Sequence, residues 1–486
     1  MIKSSDTALF SPSPYAGRRF VAAVALATLS AFPAIAGSLP AIVRTDKGRV
    51  AGDAVAIDGR ESVVAYKGIP FAASTAGEKR WTPPVPAAAW RGVRASVAQP
   101  VGCMQGTTEG ASPEMLPWTK EFIHPGPVGE DCLNLNVWTP AARSAKKLPV
   151  LVFIHGGGFF EGSNSVPVYD GARLAAQGIV VVTINYRLGA FGFLATPELA
   201  AESPHHAAGN YGLLDQLAAL KWVRRNISAF GGDPSQVTIS GQSSGAMSVY
   251  MMTASPLAKG LFQRAIVASG PGALASFGYT TAGSLNKPLE NNYRISQEFM
   301  KRRGVSSISE LRKLDARSLL PTPGDAGPRP RPTIDGWFLR ETIDTVYRKG
   351  AQIDVPMMLG MVADETSALG YTPEKAAAGR DASRVAIDNI LTARARTART
   401  PAFAYLFDRA IPWPEKPQFG AFHTSDIVYA FGNLSMLQRP WQPLDRKVSE
   451  EFSGDWVDFV KGGKPGDDNR PWPAYQPGSS LEVIGN

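Results

Sequence analysis

One stretch of this chain decides its fold, and it reads Val237-Thr238-Ile239-Ser240-Gly241-Gln242-Ser243-Ser244-Gly245-Ala246. A β-branched run, typical of a strand, ends in Gly-Gln-Ser-Ser-Gly and continues into a segment that predicts a helix. G-x-S-x-G between a strand and a helix is the pattern of a nucleophile elbow, in which a serine lies at the apex of a tight turn. The two glycines suit this turn because a Cβ at either position would clash with the adjoining strand or helix. Ser243 is therefore the candidate nucleophile, and an ordinary Ser/Gly turn is the alternative.

The segments around this stretch alternate between apolar runs and helical patterns. Residues 148–154 and 179–184 are continuous apolar runs of the kind found in strands buried on both faces, and residues 265–268 form another. Leucines at helical spacing occupy residues 213–220, between two of these runs. Such alternation predicts an α/β fold with a large, mostly parallel central sheet covered by helices on both faces.

A glycine-rich segment, His155-Gly156-Gly157-Gly158, follows the run at 148–154 directly. Glycines leave the backbone N–H groups unobstructed, so these groups are free to point into a cleft. Donors of this kind form the oxyanion hole that acyl transfer requires. The segment therefore indicates an oxyanion hole, and a flexible loop is the alternative.

A serine nucleophile needs a histidine to take its proton and an acid to orient that histidine. The chain has five histidines. His155 belongs to the glycine segment, His205 and His206 lie in a polar connector, and His124 precedes a Pro-Gly turn. His423 follows a late predicted strand and is the candidate base.

The acid is expected between the nucleophile and the base, at the end of the predicted strand 357–360. Two neighbours, Asp364 and Glu365, stand there. Ser243, one of these acids and His423 then follow the serine, acid, histidine order of α/β-hydrolases. The pattern alone leaves the choice between Asp364 and Glu365 open.

Residues 1–36 are predicted to be a signal peptide. Arg18-Arg19 precedes an apolar run at residues 20–29, and Ala34-Ile35-Ala36 has the small-x-small pattern of a cleavage site. The run is too short to span a bilayer as a stable helix. We therefore expect export to a periplasm or the exterior with cleavage after Ala36. An amphipathic or membrane-anchoring N-terminus is the alternative, and the choice between the general secretory and twin-arginine routes stays open.

Export gives a meaning to the only two cysteines, Cys103 and Cys132. In an oxidising compartment they can form a disulfide, which on the chain-entropy model stabilises the fold by roughly 3–4 kcal/mol. Two buried free thiols are the alternative. The segment between them is irregular and contains Trp118, which suits an apolar wall of a cleft and a loop anchor equally well.

The composition excludes several other classes of protein. Lys and Arg number 50 against 42 Asp and Glu, for a net charge of +8, and the first 36 residues contribute +2 of it. No run of five like charges occurs, which argues against a nucleic-acid groove. There is also no H-E-x-x-H motif or Cys/His cluster, so neither a metal nor another cofactor is expected. The expected partner is a small molecule.

Residues 37–486 are predicted to form one domain that contains an insertion at about 272–340. Within the insertion, Ser307-Ile308-Ser309-Glu310 has the pattern of a capping box and predicts a helix that continues through Leu320. A proline-rich connector at 321–332 follows this helix.

Several motifs together make the chain resemble the type-B carboxylesterases, the cholinesterase-like branch of the α/β-hydrolases. Besides the elbow, the glycine segment and the acid pair, they are Lys67-Gly68-Ile69-Pro70, Glu130-Asp131-Cys132-Leu133-Asn134-Leu135-Asn136-Val137, Asn185-Tyr186-Arg187-Leu188-Gly189, Phe230-Gly231-Gly232-Asp233-Pro234, Gly420-Ala421-Phe422-His423 and a Trp-Pro-x-Tyr at Trp472. The motifs extend over essentially the whole chain after residue 36. The resemblance implies an α/β-hydrolase fold with helical insertions over an active-site gorge.

The resemblance also implies a role for each candidate. It makes Ser243 the nucleophile and His423 the general base and acid, and it selects Glu365 rather than Asp364 as the orienting acid. The implied oxyanion hole consists of the backbone N–H groups of Gly157, Gly158 and Ser244. The implied activity is hydrolysis of carboxylic esters through an acyl-enzyme. An amidase or lactonase with the same triad and a non-catalytic binding protein on the same fold are the alternatives.

Other residues follow from the same resemblance. It supports a disulfide between Cys103 and Cys132, in a loop that overhangs the gorge, and it favours Trp118 as a gorge-lining residue. The chain departs from the family at Gln242 and Ser244, where Glu and Ala are usual. The missing carboxylate at Gln242 argues against a cholinesterase, because it removes an attraction for cationic substrates. We therefore expect Gln242 to contribute to substrate binding.

Overall fold

The computed structural model describes most of the chain after residue 40. The described residues are 41–58, 60–96, 100–106, 122, 126–142, 144, 146–271, 287–321, 327–369 and 372–485. The predicted signal peptide at 1–36, Trp118, His124 and part of the predicted insertion lie outside them. Within these ranges, no helix combines the length and the apolar character needed to cross a membrane.

A ten-stranded sheet forms the centre of the fold. Its strands, in chain order, are β1 Asp53–Ile57, β2 Arg60–Pro70, β3 Asn134–Pro140, β4 Leu148–Ile154, β5 Val180–Ile184, β6 Gly232–Gln242, β7 Arg264–Ala268, β8 Met357–Val362, β9 Ala402–Phe407 and β10 Glu482–Ile484. Their order across the sheet is β10-β9-β8-β7-β6-β4-β5-β3-β2-β1. The strands from β4 to β10 pair in parallel, whereas β1, β2 and β3 pair antiparallel at one side.

Helices cover this sheet, and three small sheets accompany it. The described α-helices are α1 Ala172–Ala175, α2 Gly189–Phe193, α3 Pro197–Glu202, α4 Tyr211–Asn226, α5 Ser244–Ala254, α6 Leu289–Arg302, α7 Ile308–Lys313, α8 Ile343–Arg348, α9 Pro373–Ala395, α10 Ser425–Ala430 and α11 Pro443–Gly462. The small sheets consist of Ile42–Arg44 with Arg49–Ala51 and Val93–Arg94, Gly102–Cys103 with Val128–Gly129, and Lys287–Pro288 with Thr333–Ile334.

Strand β4 shows how the sheet separates two hydrophobic cores. Val150 and Val152 belong to one core, together with residues of α4 and α5. Leu151 and Phe153 belong to the other, together with residues of α1 and α11. Successive side chains of a strand point to opposite faces, so both faces of the sheet are buried under helices. The prediction of a large, mostly parallel sheet covered on both faces is confirmed.

The parallel strands bring the candidate residues to one edge of the sheet. Strand β4 leads into His155, β6 into Ser243 and β8 into the Asp364-Glu365 pair, and His423 follows β9 in the chain. The carboxyl ends of parallel strands meet at the same edge, where α/β proteins carry their sites. These distant parts of the sequence are therefore neighbours in space.

The predicted capping box at Ser307 is present, but the helix it begins is shorter than expected. The Ser307 side chain accepts from the Glu310 N–H, and the Glu310 side chain accepts from the Ser307 N–H. The helix ends at Lys313 rather than at Leu320. It ends there because Asp315 caps a separate 3-10 turn, Ala316–Leu319, by accepting from the Arg317 N–H.

Candidate active site

The elbow places Ser243 at a strained apex between β6 and α5. Ser243 has φ 56° and ψ −123°, a backbone conformation that residues other than glycine rarely adopt. The turn is tight enough that a Cβ on Gly245 would overlap the carbonyl of Ile154, and one on Gly241 would overlap the backbone of Gly245. Ser243 is partly exposed, whereas both of its neighbours are buried.

His423 and Glu365 meet in a buried contact beside this elbow. The Nδ1 atom of His423 lies 2.5 Å from Oε2 of Glu365, and the two side chains are only 8% and 1% exposed. The other oxygen of Glu365, Oε1, accepts a hydrogen bond of 3.1 Å from the Val362 N–H at the end of β8. The carboxylate therefore has a fixed orientation, and it holds the proton of the imidazole on Nδ1.

Asp364, the neighbour of Glu365, has a different task. Its Oδ2 accepts a 3.0 Å hydrogen bond from the Ala421 N–H, and its Oδ1 lies 3.3 Å from a guanidinium nitrogen of Arg380. Its own N–H donates to the Ala421 carbonyl. Asp364 thus binds the backbone of the loop that precedes His423, and burial raises the pKa of this carboxyl. The structure brings Glu365, and not Asp364, to His423.

The opposite ring nitrogen of His423 faces the elbow. Its Nε2 atom lies 3.2 Å from the side-chain Nε2 of Gln242, the residue that precedes Ser243. With the proton held on Nδ1, the Nε2 of His423 is an acceptor and the Gln242 amide is the donor. Gln242 is 1% exposed, and its side-chain oxygen has no hydrogen-bond partner among the described residues. The amide therefore contacts the nitrogen that a general base uses.

The glycine segment packs directly against the elbow. A Cβ on Gly156 would lie 2.6 Å from Oε1 of Gln242 and 3.0 Å from Cβ of Ser243, so only glycine fits at this position. The next two residues, Gly157 and Gly158, have φ values of 106° and 65°, which favour glycine. In the described part of the chain, no acceptor takes the N–H of Gly157 or Gly158. These donors remain available to a ligand.

His155 fixes the start of this segment. Its Nδ1 lies 2.8 Å from the Gly156 carbonyl, and its ring stacks on that of Tyr186 with centroids 4.6 Å apart. The Tyr186 hydroxyl donates to the His155 carbonyl at 3.0 Å. Burial lowers the pKa of His155 to about 4, so the ring is neutral at ordinary pH and donates from Nδ1. His155 therefore shapes the loop.

Comparisons with known proteins agree with this geometry. A model of the carboxylesterase family matches residues 40–389 and 380–483. The chain belongs to this family. It is 32% identical to a fumonisin B1 esterase of Sphingopyxis macrogoltabida, over 98% of this chain and 94% of that protein. It is 33% identical to a para-nitrobenzyl esterase of Bacillus subtilis (strain 168), over 89% of this chain and 92% of that protein.

A mammalian relative is more similar over a shorter region. The chain is 44% identical to a cocaine esterase of Oryctolagus cuniculus, over 67% of this chain and 59% of that protein. The resemblance to type-B carboxylesterases is thus confirmed, and with it the α/β-hydrolase fold. This member of the carboxylesterase family is a carboxylic ester hydrolase.

The disulfide in this carboxylesterase is connected to the glycine segment by a residue that sequence reasoning missed. Cys103 and Cys132 are bonded, with their Cα atoms 4.9 Å apart. Two residues after Cys103, the Gln105 amide donates to the Cys103 and Gly162 carbonyls and accepts from the Gly162 N–H at 2.8 Å. Gln105 thereby links the disulfide loop to Gly162, four residues after the glycine segment. A single buried glutamine has no sequence signal that distinguishes this role.

Asp426 is a second buried acid near the candidate triad, and it too was missed. It is fully buried, and its Oδ2 accepts a 2.9 Å hydrogen bond from the Tyr405 hydroxyl. The pKa of Asp426 is raised to about 7, chiefly by burial and also by the nearby charge of Glu365, while the Tyr405 hydrogen bond and His423 oppose the increase. Its position three residues after His423 was the only available signal.

Proposed function

We propose that this carboxylesterase cleaves its esters through an acyl-enzyme, with Ser243 as nucleophile, His423 as general base and acid, and Glu365 as the acid that orients His423. The 2.5 Å contact between Glu365 and His423 Nδ1 carries this proposal. It leaves the Nε2 of His423 as an acceptor on the side of the ring that faces the elbow. A histidine held in this tautomer can take a proton from a serine hydroxyl.

In the first half of the reaction, the Ser243 Oγ attacks the ester carbonyl while His423 Nε2 accepts the serine proton. Negative charge develops on the carbonyl oxygen, and the N–H groups of Gly157, Gly158 and Ser244 donate to it. The alcohol then leaves with the proton from His423, and the acyl group stays on Ser243.

In the second half, water takes the place of the alcohol. His423 accepts a proton from the water as the water attacks the acyl carbonyl, and returns it to Ser243 as the acid leaves. Glu365 stabilises the imidazolium that forms in each half. The buried Glu365–His423 pair makes this stabilisation strong because solvent does not screen it.

The proposed substrates are small-molecule carboxylic esters, with Gln242 and Trp118 contributing to the substrate pocket. The relatives named as esterases of fumonisin B1, para-nitrobenzyl esters and cocaine support this class. Cleavage of amides or lactones by the same triad is the second candidate, since the same nucleophile and oxyanion hole would serve it. A non-catalytic binding protein is disfavoured because Ser243, Glu365 and His423 are all present.

We further propose that the protein is exported, with residues 1–36 as a cleaved signal peptide and residues 37–486 as a single catalytic domain with an insertion at about 272–340. The Cys103–Cys132 disulfide supports export, because disulfides persist in oxidising compartments.

Replacement of the nucleophile tests the mechanism. Ser243→Ala should lower kcat on p-nitrophenyl butyrate by about 10³-fold or more, and it should abolish covalent labelling by a fluorophosphonate. The matched control is Ser235→Ala, at an exposed serine near the start of the same strand. The control should keep both activities. An undiminished rate in Ser243→Ala would overturn the assignment, and amides or lactones cleaved faster than esters would favour the second candidate.

A further inference from the structure

Two arginines converge on an aromatic ring beside the glycine segment. The guanidinium carbons of Arg329 and Arg331 lie 5.0 and 4.8 Å from the ring centroid of Phe160. Phe160 in turn borders Gly158, since a Cβ on Gly158 would lie 3.5 Å from the ring. We call Phe160, Arg329 and Arg331 the arginine rim. The rim places positive charge next to the proposed oxyanion hole.

Buried asparagines hold the backbone of the segment that carries the two arginines, residues 327–333. Asn210 donates to the Thr333 carbonyl at 2.8 Å and accepts from the Thr333 N–H at 3.0 Å. Asn292 donates to the Arg331 carbonyl at 3.1 Å. These asparagines are 1% and 4% exposed.

Prolines stiffen the same segment. Prolines at positions 328, 330 and 332 alternate with the two arginines, and each restricts its own φ and disfavours a helical conformation in the residue before it. The rim is therefore presented by a rigid backbone, which lowers the entropy cost of binding a ligand.

The charge of Arg329 is not neutralised by a direct ion pair. Glu161, next to Phe160 in the chain, interacts electrostatically with Arg329. Burial raises the pKa of Glu161, and Arg329 opposes that increase. No carboxylate in the described part of the chain lies within salt-bridge distance of Arg329, which is exposed. The positive charge of the exposed Arg329 guanidinium is therefore available to an anionic ligand.

We propose that the arginine rim binds a carboxylate of the substrate, so that the enzyme prefers esters that carry a second, ionised carboxylate. Guanidinium groups suit this ligand because their planar donors match the two oxygens of a carboxylate. A carboxylate bound near both arginines also relieves the repulsion between two like charges held at one ring. The preference concerns the substrate class of the site under Proposed function and therefore rests on that function.

The decisive experiment compares charged and neutral esters. The anionic probes are p-nitrophenyl hydrogen glutarate, with its carboxylate on the acyl side, and 4-butyryloxybenzoate, with its carboxylate on the alcohol side. p-Nitrophenyl valerate is the neutral reference for the first probe and phenyl butyrate for the second. For at least one pair, the anionic-to-neutral ratio of kcat/KM should fall by about tenfold in Arg329→Gln/Arg331→Gln, while the neutral rate changes by less than about twofold.

Two further variants separate charge from packing. Arg329→Lys/Arg331→Lys keeps the charge and should retain most of the preference, whereas Arg340→Gln, at an exposed arginine outside the rim, should leave both rates unchanged. The preference of the wild-type protein should also weaken as ionic strength rises. Unchanged ratios for both probes, or an equal loss on anionic and neutral esters, would overturn the proposal.

A binding measurement tests whether the rim binds a carboxylate even if the protein shows no hydrolytic activity. Calorimetric titration with glutarate should give a Kd about tenfold weaker for Arg329→Gln/Arg331→Gln than for the wild-type protein. Equal affinities would reject the rim as an anion site. Loss of every hydrolytic activity in the wild-type protein, with this difference in affinity preserved, would reject the proposed mechanism and keep the rim.

Discussion

Two regions of this site differ in how they are built. The proposed catalytic floor consists of Ser243, Glu365 and His423, which are buried or partly buried. Ser243 and Glu365 closely follow the ends of parallel strands, and His423 lies in the loop between β9 and α10. The arginine rim lies on irregular backbone, and Arg329 is exposed to solvent. Charges act strongly and at short range in the floor, whereas solvent and salt screen the rim. The floor should therefore act on every ester alike, and the rim should distinguish one ester from another.

The largest effect is expected from a change in the floor at Glu365. Glu365→Gln removes the charge that stabilises the imidazolium and the acceptor that fixes the tautomer of His423. We expect kcat to fall by about 10³-fold on charged and neutral esters alike, as measured with the probes of the rim experiment. An unequal loss on the two kinds of ester would show that floor and rim do not act separately.

The neighbouring acid supplies the matched control for this change. Asp364→Asn leaves His423 its partner and weakens only the hydrogen bond to Ala421 and the ion pair with Arg380. Its kcat should stay within about tenfold of the wild-type value, while thermal denaturation shows a lower Tm. If Asp364→Asn were the more damaging of the two changes, Glu365 would not be the orienting acid.

The same pair of acids shows what the sequence could predict and what it could not. The parallel sheet, the elbow and the glycine segment follow from apolar runs and glycines, because these depend on local conformation. Local pattern could not separate Asp364 from Glu365. One points to His423 and the other to the loop backbone, and this difference arises from tertiary packing. The resemblance to a family favoured Glu365, and in the structure Glu365 is the acid that contacts His423.

The parts that escaped prediction are contacts between side chains distant in sequence. Gln242 was expected to contribute to substrate binding, but its contact with His423 across 181 residues has no local signature. The rim depends on Phe160 meeting two arginines from the proline-rich connector, which the sequence alone presents as a simple spacer. Helix α7 ended early because a single side chain, Asp315, capped another turn.

A smaller effect is expected from Gln242. A change at this residue should affect both His423 in the floor and the preference for charged esters that the rim is proposed to set. Gln242→Glu restores the carboxylate usual in the family and places it beside His423 Nε2. A negative charge there favours the imidazolium, so the acid limb of the kcat/KM profile should move up by about one pH unit. The same charge should repel anionic esters and lower their kcat/KM about tenfold relative to neutral ones.

Gln242→Met is the control, because it keeps the size of the side chain without an amide or a charge. It removes only the hydrogen bond to the neutral Nε2, so the acid limb should move up by less than in Gln242→Glu, and the preference between charged and neutral esters should not change. A shift of the acid limb in Gln242→Met equal to that in Gln242→Glu would mean that packing, and not charge, acts on His423.

The smallest effect on turnover is expected from Asp426, a buried acid near the floor that does not touch the reacting atoms. Asp426→Asn keeps an oxygen for the Tyr405 hydroxyl and should change kcat by less than about fivefold at pH 8. The pKa of Asp426 is raised from 3.8 to about 7, so the folded protein retains a proton that the unfolded chain loses above about pH 4. The free energy of unfolding of the wild-type protein should therefore fall as the pH rises from 4 to 7.

The side chain at position 426 of the Asp426→Asn variant cannot ionise, so the variant does not undergo this fall in the free energy of unfolding. Its stability relative to the wild-type protein should increase between pH 4.5 and 8 by about 3 kcal/mol, as measured by urea denaturation at both values. Asp455, a buried acid of α11 with a pKa raised to about 6 by burial, offers the control outside the site. Asp455→Asn should alter the pH dependence of stability in the same direction and leave kcat unchanged. If the stability of Asp426→Asn and that of the wild-type protein changed in parallel over this range, Asp426 would be ionised in the folded state. Glu365 and Asp426 would then place two negative charges near His423.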